Sequence, residues 1–145
     1  MVTGGAGFIG SHVVHQLLAE GYTVKVVDDL SAGRKTNLPN DAELVVKDVR
    51  HLSQEDVDDA EIVIHCAAQV STFKSVDYPE EDFARNAEGT FRVLETLRKH
   101  NPRALLIYTS SRSVHGDIPA PHVADENWPY NPSTFYNVHK IYGEM

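Results

Sequence analysis

Short apolar runs alternate along the chain with longer stretches in which apolar and polar residues recur at helical spacing. Thr23–Asp28 (TVKVVD), Glu43–Val46, Glu61–His65 (EIVIH) and Ala104–Thr109 (ALLIYT) are predicted as strands. Their apolar residues run almost continuously, as in strands covered on both faces. Helices are predicted over Phe8–Glu20, near Gln54–Val57 and over Pro79–His100. In the first, Ile9, Val13, Gln16 and Leu17 recur on one face, and Gly21 stands where a helix ends. The third opens on Pro79, carries Glu80, Glu81 and Asp82 in its first turn and Arg98, Lys99 and His100 in its last. Residues 115–132 are proline-rich without a clear period and read as a loop. The alternation predicts an α/β fold: a doubly wound parallel sheet of order 3-2-1-4-5, with helices on both faces and Met1–Thr3 as its central strand.

Composition narrows the partners. A chain of 145 residues can bury its own core as one domain. Its net charge of −8 argues against nucleic acid or an anionic membrane surface, both of which reward basic proteins. Cys66 is the only cysteine, so no intrachain disulfide forms. There is no signal-peptide pattern and no apolar run near about 18 residues, which makes the cytoplasm the expected compartment. The eight histidines show no ligand-like spacing with cysteines or carboxylates, so no metal site is expected.

The chemistry begins at residues 1–10, MVTGGAGFIG. Gly4, Gly7 and Gly10 sit three apart between a strand remnant and an amphipathic helix, and Asp28 closes the next strand eighteen residues later. This context reads as a dinucleotide site: loop amides and the helix N-terminus face a pyrophosphate, and Gly10 lets helix and sheet approach. Asp28 would accept hydrogen bonds from an adenosine ribose and repel a 2′-phosphate, favouring NAD over NADP. Arg34 and Lys35 downstream are the counter-signal. Tyr136 and Lys140 stand four apart and share a helix face. A lysine ammonium and an oxidised nicotinamide both favour tyrosinate, so Tyr136 is expected to titrate below a free phenol and to act as a general base.

The run Thr3–Gly10 (TGGAGFIG) strongly resembles the extended short-chain dehydrogenases/reductases, specifically the NAD-dependent nucleotide-sugar epimerase/dehydratase family. DDLSAGRKTNL (28–38), VVKDVRH (45–51), HCAAQVS (65–71), NAEGT (86–90), TSSRSVHGD (109–117) and YNVHK (136–140) continue the likeness in order. The resemblance implies NAD held by Gly4, Gly7, Phe8, Ile9, Gly10 and Asp28, with Asp48 and Val49 at the adenine and Ala67 and Ala68 beneath the cofactor. It also implies Asn86 fixing backbone or cofactor geometry, Ser71 and Ser111 at the sugar, Tyr136 as base, and Lys140 on the nicotinamide ribose. The implied partners are a nucleotide-sugar substrate and, in the complete enzyme, a second copy of the chain.

Four positions depart from the family. His115 stands where Tyr is common, Asn137 where Gly is usual, His139 where Ser is usual, and Arg112 follows Ser111 in place of a small or acidic residue. The 4,6-dehydratase branch places an Asp–Glu pair where this chain has Arg112 and Ser113, which cannot do that chemistry; a decarboxylase would also need a carboxylate there. Epimerisation through a transient keto-sugar is therefore expected. A non-catalytic NAD-binding module or inactive fragment, and another oxidoreductase or dehydratase of the same family, are the alternatives. A first strand of three residues would leave neighbouring amides unpaired, and the chain stops five residues after Lys140. The expectation is a fragment truncated at both ends, without a C-terminal substrate domain and inactive alone.

Overall fold

Five parallel strands form from the predicted runs: β1 (Val2–Thr3), β2 (Lys25–Asp28), β3 (Glu43–Val46), β4 (Ile62–His65) and β5 (Leu105–Tyr108), ordered β3-β2-β1-β4-β5. The structure, a computed structural model, describes residues 1–145 as two compact units. The first comprises Met1–Ala68 and Gly89–Thr109; the second comprises Gln69–Glu88 and Ser110–Met145.

The first unit holds the sheet, with α1 (Phe8–Ala19), α2 (Gln54–Val57) and, later in the chain, the helix Gly89–His100. Alternate residues of β2 explain the double winding. Val26 packs with Val2, Val14 and Val24, whereas Val27 packs with Val57, Val63, Val93 and Leu97. Only β1 and β2 are buried throughout or nearly so; Val46 on β3, Ile62 at the start of β4, and Leu105 and Ile107 on β5 are exposed. Full cover, expected of every strand, is thus confined to the centre. β1 is short, yet its neighbours are not orphaned. The Met1 carbonyl accepts from Ile64 N–H at 2.9 Å, Met1 N donates to the Ile62 carbonyl at 2.7 Å, and Thr3 O accepts from Cys66 N–H at 3.0 Å. These contacts lengthen the ladder beyond β1 itself.

In α1 Gly10, Ser11 and Val14 are buried; of the expected face Ile9, Val13, Gln16 and Leu17, Val13 and Leu17 pack half-buried against the core while Ile9 and Gln16 are exposed. Small residues mark the packed side here, because the helix closes onto the glycine loop. Glu20 caps α1, and Gly21 follows at φ +87°.

The second unit comprises α3 (Thr72–Asp77), α4 (Pro79–Asp82), a π-helical segment Phe83–Glu88, a 3₁₀ turn Arg112–His115 and α6 (Phe135–Glu144); α5 is the Gly89–His100 helix. The stretch Pro79–His100, expected as one regular helix, is therefore three segments, with a π turn where Asn86 is drawn into side-chain bonding. No helix or strand forms between the 3₁₀ turn and α6, as its prolines predict.

Candidate functional site

In the first unit the chain turns out of β1 at Gly4, where φ is +67° and an added Cβ would lie 2.6 Å from Ala67 N. Gly4 N–H donates to the Val27 carbonyl at 2.8 Å, and Gly7 N–H returns to the Gly4 carbonyl at 3.1 Å, closing the loop. Gly7 is the N-cap of α1 and has no side chain to satisfy the helix, and the Phe8 and Ile9 amides have no acceptor in the chain. Unpaired donors and the positive helix end meet here, a setting suited to an anion. The Phe8 and Ile9 side chains are 82% and 59% exposed.

Asp28 is buried at the end of β2 with both oxygens engaged: Oδ2 accepts from Ala6 N–H at 2.9 Å and Oδ1 from Leu30 N–H at 2.8 Å. Each oxygen keeps further acceptor capacity. Leu30 takes φ +57°, a left-handed conformation unusual for its type. Arg34 N–H and Asn37 Nδ2 both donate to the Ala6 carbonyl, at 3.1 and 2.8 Å, fastening the segment after β2 to the glycine loop. Between that segment and α1 lies a cleft of about 560 Å³, lined among others by Gly7, Phe8, Ser11 and Arg34.

Asp48 caps the 3₁₀ turn Val49–His51, accepting from Arg50 N–H at 2.9 Å. The Arg50 guanidinium, 2.6 Å away, holds its carboxyl below the usual range, assisted by the backbone bond and opposed by partial burial. Val49 has its side chain in the core beside Val27 and Val63. Ala67 and Ala68, both half-buried, follow β4, and Ala67 N–H donates to Thr3 Oγ1 at 3.4 Å. Behind them the buried His65 ring joins Thr3 Oγ1 at 2.6 Å and Thr90 Oγ1 at 3.2 Å.

In the second unit the Thr134 hydroxyl caps α6, accepting from Asn137 N–H. The first turns of this helix bury Tyr136, Asn137, His139 and Lys140. Ser111 acts on the Tyr136 phenol, and Lys140 Nζ lies 5.9 Å from the phenol ring centroid. The three expected catalytic residues are thus together. In the chain by itself burial pushes Tyr136 above its ordinary value, Ser111 pulls it down, and the Asp82 charge pushes it up again; the expected lowering invoked a bound nicotinamide as well as Lys140.

Asp82, one of three acidic residues placed in a helix's first turn, is 1% exposed. Its Oδ1 accepts from Gln69 Nε2 at 2.8 Å and Asn86 Nδ2 at 2.9 Å, and its Oδ2 accepts from His139 Nδ1 at 2.6 Å. The His139 ring also meets Phe83 edge-on and stacks on Phe135. Asn86 clasps Gln69 through both backbone groups, each at 2.9 Å, so its role is to fix the loop before α3. Ser71 is the N-cap of α3, its hydroxyl accepting from Lys74 N–H at 3.2 Å. Sequence reasoning passed over Gln69, Asp82, Ser113, Asn137 and His139 as functional residues. The available signal was the cluster of departures around Tyr136 and Ser111.

The sequence profile of the NAD dependent epimerase/dehydratase family matches residues 1–145. A UDP-glucose 4-epimerase of Mycolicibacterium smegmatis is 39% identical over 100% of this chain and 49% of its own length. A dTDP-glucose 4,6-dehydratase of Mycobacterium tuberculosis is 37% identical over 100% of this chain and 46% of its own. The crystal structure of the Thermus thermophilus UDP-glucose 4-epimerase in complex with NAD superposes with a TM-score of 0.91 at 37% identity, covering 99% of this chain and 47% of that one. The chain spans about half the length of the curated relatives it matches.

Proposed function

The chain belongs to the NAD-dependent epimerase/dehydratase family, and on that premise we propose that the protein epimerises a nucleotide sugar, a UDP-hexose at C4, with NAD as resident cofactor. The residues fit that cofactor. Gly7 offers no side chain at the N-terminus of α1, the Phe8 and Ile9 amides are unpaired, and Asp28 is already fixed by the loop it would serve alongside. These groups would hold the pyrophosphate and the adenosine ribose, with Gly4, Gly10, Ala67 and Ala68 keeping the loop's shape. When bound, NAD supplies the acceptor and donor of a hydride.

Tyr136 carries the proton chemistry. Its phenolate takes the proton of the sugar C4 hydroxyl as hydride leaves C4, and returns it after hydride re-enters from the other face, so the net change is inversion alone. Ser111 orients the same hydroxyl, and Lys140 holds the nicotinamide ribose. The observation that carries the reading is the buried Tyr136 with Lys140, also buried, 5.9 Å from its ring centroid and Ser111 acting on its phenol. Dehydration is disfavoured by Arg112, whose guanidinium donates to the Gly116 carbonyl at 3.2 Å, and by Ser113; neither can exchange the protons that water loss requires.

The reading concerns the whole protein. The 145 residues alone are proposed to be inactive, with the substrate's base and sugar read elsewhere. A second copy is the proposed partner, supported by exposed Phe135, Val138 and Tyr142 on α6, and the cytoplasm is the proposed compartment. No helix is long and apolar enough to cross a membrane. Tyr136→Phe in the full-length protein should lower kcat for UDP-galactose to UDP-glucose conversion by about 10²–10⁴-fold with KM little changed. Retained turnover would overturn the assignment.

A further inference from the structure

The cleft between α1 and the segment after β2, about 560 Å³ in volume, carries a charge pattern opposite to that of the chain. Asp and Glu outnumber Lys and Arg by 21 to 13, yet no acidic residue lines the cleft, whereas His12, His15 and Arg34 do. All three are exposed, and the Arg34 guanidinium has no acceptor in the chain. Gly7 and Phe8 line the cleft too, so it adjoins the unpaired amides that begin α1.

Hydrogen bonds fix which nitrogen of each ring is left over. His12 Nδ1 lies 2.7 Å from the Phe8 carbonyl oxygen, which also accepts from Ser11 Oγ at 3.1 Å. A carbonyl oxygen only accepts, so Nδ1 carries the hydrogen and Nε2 is the nitrogen that can take up a proton. His15 uses the opposite nitrogen. Its Nε2 donates to the Asn37 carbonyl at 3.1 Å, tying α1 to the 3₁₀ turn Lys35–Asn37, and its Nδ1 is left over. A neutral ring offers a lone pair at that nitrogen, and the imidazolium offers a second N–H. Only the second form attracts an anion, so an anion in the cleft draws protons onto the rings.

We propose that His12 and His15 make this cleft a proton-linked phosphate subsite: the pyrophosphate of a dinucleotide bound at the glycine loop draws protons onto both rings, and binding tightens as pH falls. The inference rests on NAD as the resident cofactor, proposed above. A guanidinium keeps its charge across the working pH range, so Arg34 attracts the pyrophosphate equally throughout, whereas the histidines add their attraction only when protonated. The other charges of this region leave that sign unchanged. Asp28 is turned to the Ala6 and Leu30 amides and Asp29 to the Ser31 amide and hydroxyl, and Lys35 is a further cation beyond Arg34. The Phe8 ring, which meets His12 edge-on with centroids 4.9 Å apart, bears no charge.

The test is calorimetric titration of the full-length protein with NAD, at about pH 6 and about pH 8, in buffers of different ionisation enthalpy, which reports the protons taken up on binding. Net uptake is expected, with Kd at least about fivefold lower at the acid end, as an upward shift of about one unit at one ring produces. ADP-ribose carries the same pyrophosphate without the nicotinamide and should take up as many protons. His12→Gln and His15→Gln should each remove part of the uptake, and the double variant all of it, leaving Kd independent of pH. Glutamine suits exposed helix positions, so the fold is kept. Zero uptake by the parent, undiminished uptake in the double variant, or uptake with NAD that ADP-ribose lacks would overturn the subsite. A protein that binds no NAD at any pH overturns the NAD reading as well, whereas NAD binding that ignores pH overturns this inference alone.

Discussion

Gly10→Ala and Gly7→Ala differ by position alone, and the structure sets their consequences apart. At Gly10 an added Cβ would lie 2.2 Å from the Gly4 carbonyl oxygen and 2.7 Å from Gly5 Cα. Both are backbone atoms, and the Gly4 carbonyl is held by Gly7 N–H. Rotating a side chain cannot relieve the overlap; α1 must lift or the loop must open. Alanine in a helix gains up to about 1 kcal/mol over glycine, whereas overpacking costs about 1–3 kcal/mol and commonly more against fixed backbone. A net loss of about 1–3 kcal/mol follows. At Gly7 the only atom near an added Cβ is the same carbonyl oxygen at 3.2 Å, which needs to give only slightly. Its φ of −77° suits any residue, so the stability cost is under about 1 kcal/mol.

Binding reverses that ranking of specificity. A methyl at Gly7 stands at the cap where a pyrophosphate would approach the free amides, so it should weaken NAD by at least about tenfold with the fold intact. Gly10→Ala should weaken both together. Urea unfolding followed by intrinsic fluorescence reports the first quantity, and calorimetric titration with NAD the second. A Gly7→Ala protein that binds NAD as the parent does, or a Gly10→Ala protein of parental stability, would refute the assignment of this loop.

Other outcomes follow from the same contacts. Asp28→Asn keeps its place but exchanges one acceptor oxygen for a donor facing either Ala6 N–H or Leu30 N–H; about 1–3 kcal/mol of stability should be lost. Its preference for NAD over NADP should narrow in parallel calorimetric titrations, further so if Arg34 then reaches a 2′-phosphate. His139→Ala leaves Asp82 buried with one oxygen uncompensated, and the loss expected is about 3–5 kcal/mol, read by denaturant titration. Asp48 and Asp56 sit below their ordinary range in the folded protein. Asp48 is held down chiefly by Arg50; for Asp56, burial acts upward but Lys47 and Ser53 outweigh it. A lowered folded value adds stability above the unfolded carboxylate range that disappears as pH falls through it, so the melting temperature should drop on acidification below about pH 4. Tyr136 works at the other end: its raised folded value adds stability that is lost as pH climbs past about 10, and Tyr136→Phe should flatten that alkaline limb.

The sequence order of strands, their parallel pairing and the glycine loop were legible because each rests on local chemistry: β-branched runs, helix capping and three glycines at fixed spacing. Ser111, Tyr136 and Lys140 were legible by spacing and by likeness to a family. What was not legible depends on long-range neighbours. Asp82 reads like Glu80 and Glu81 until His139, 57 residues away, is brought onto it. The buried side of α1 was misjudged because small residues, not large ones, allow its contact with the loop. Val49, expected at the adenine, also fills the core with its side chain, which its sequence neighbours do not reveal. The spacing of Tyr136 and Lys140 could not show that burial and the Asp82 charge push the phenol up in the chain by itself.

The departures from the family pattern form a connected group. Ser113 and Asn137 bond to each other across 24 residues of sequence, and His139 bonds to Asp82, which also receives Gln69 and Asn86. Asn137 and His139 are two residues apart on α6, one joined to the Ser111 side of the phenol and the other to the Asp82 side. A buried amide or imidazole in place of glycine or serine would be costly if it stood alone, since each unmet polar atom costs about 1–3 kcal/mol. Here no buried side-chain polar atom is without a partner. Asn137 is thus met by Ser113 and His139 by Asp82, and both groups bear on Tyr136: Ser111, joined to Ser113, pulls its titration down and the Asp82 charge pushes it up. A family pattern records the residues that meet the reaction, whereas these partners set the energy at which Tyr136 can take part in it.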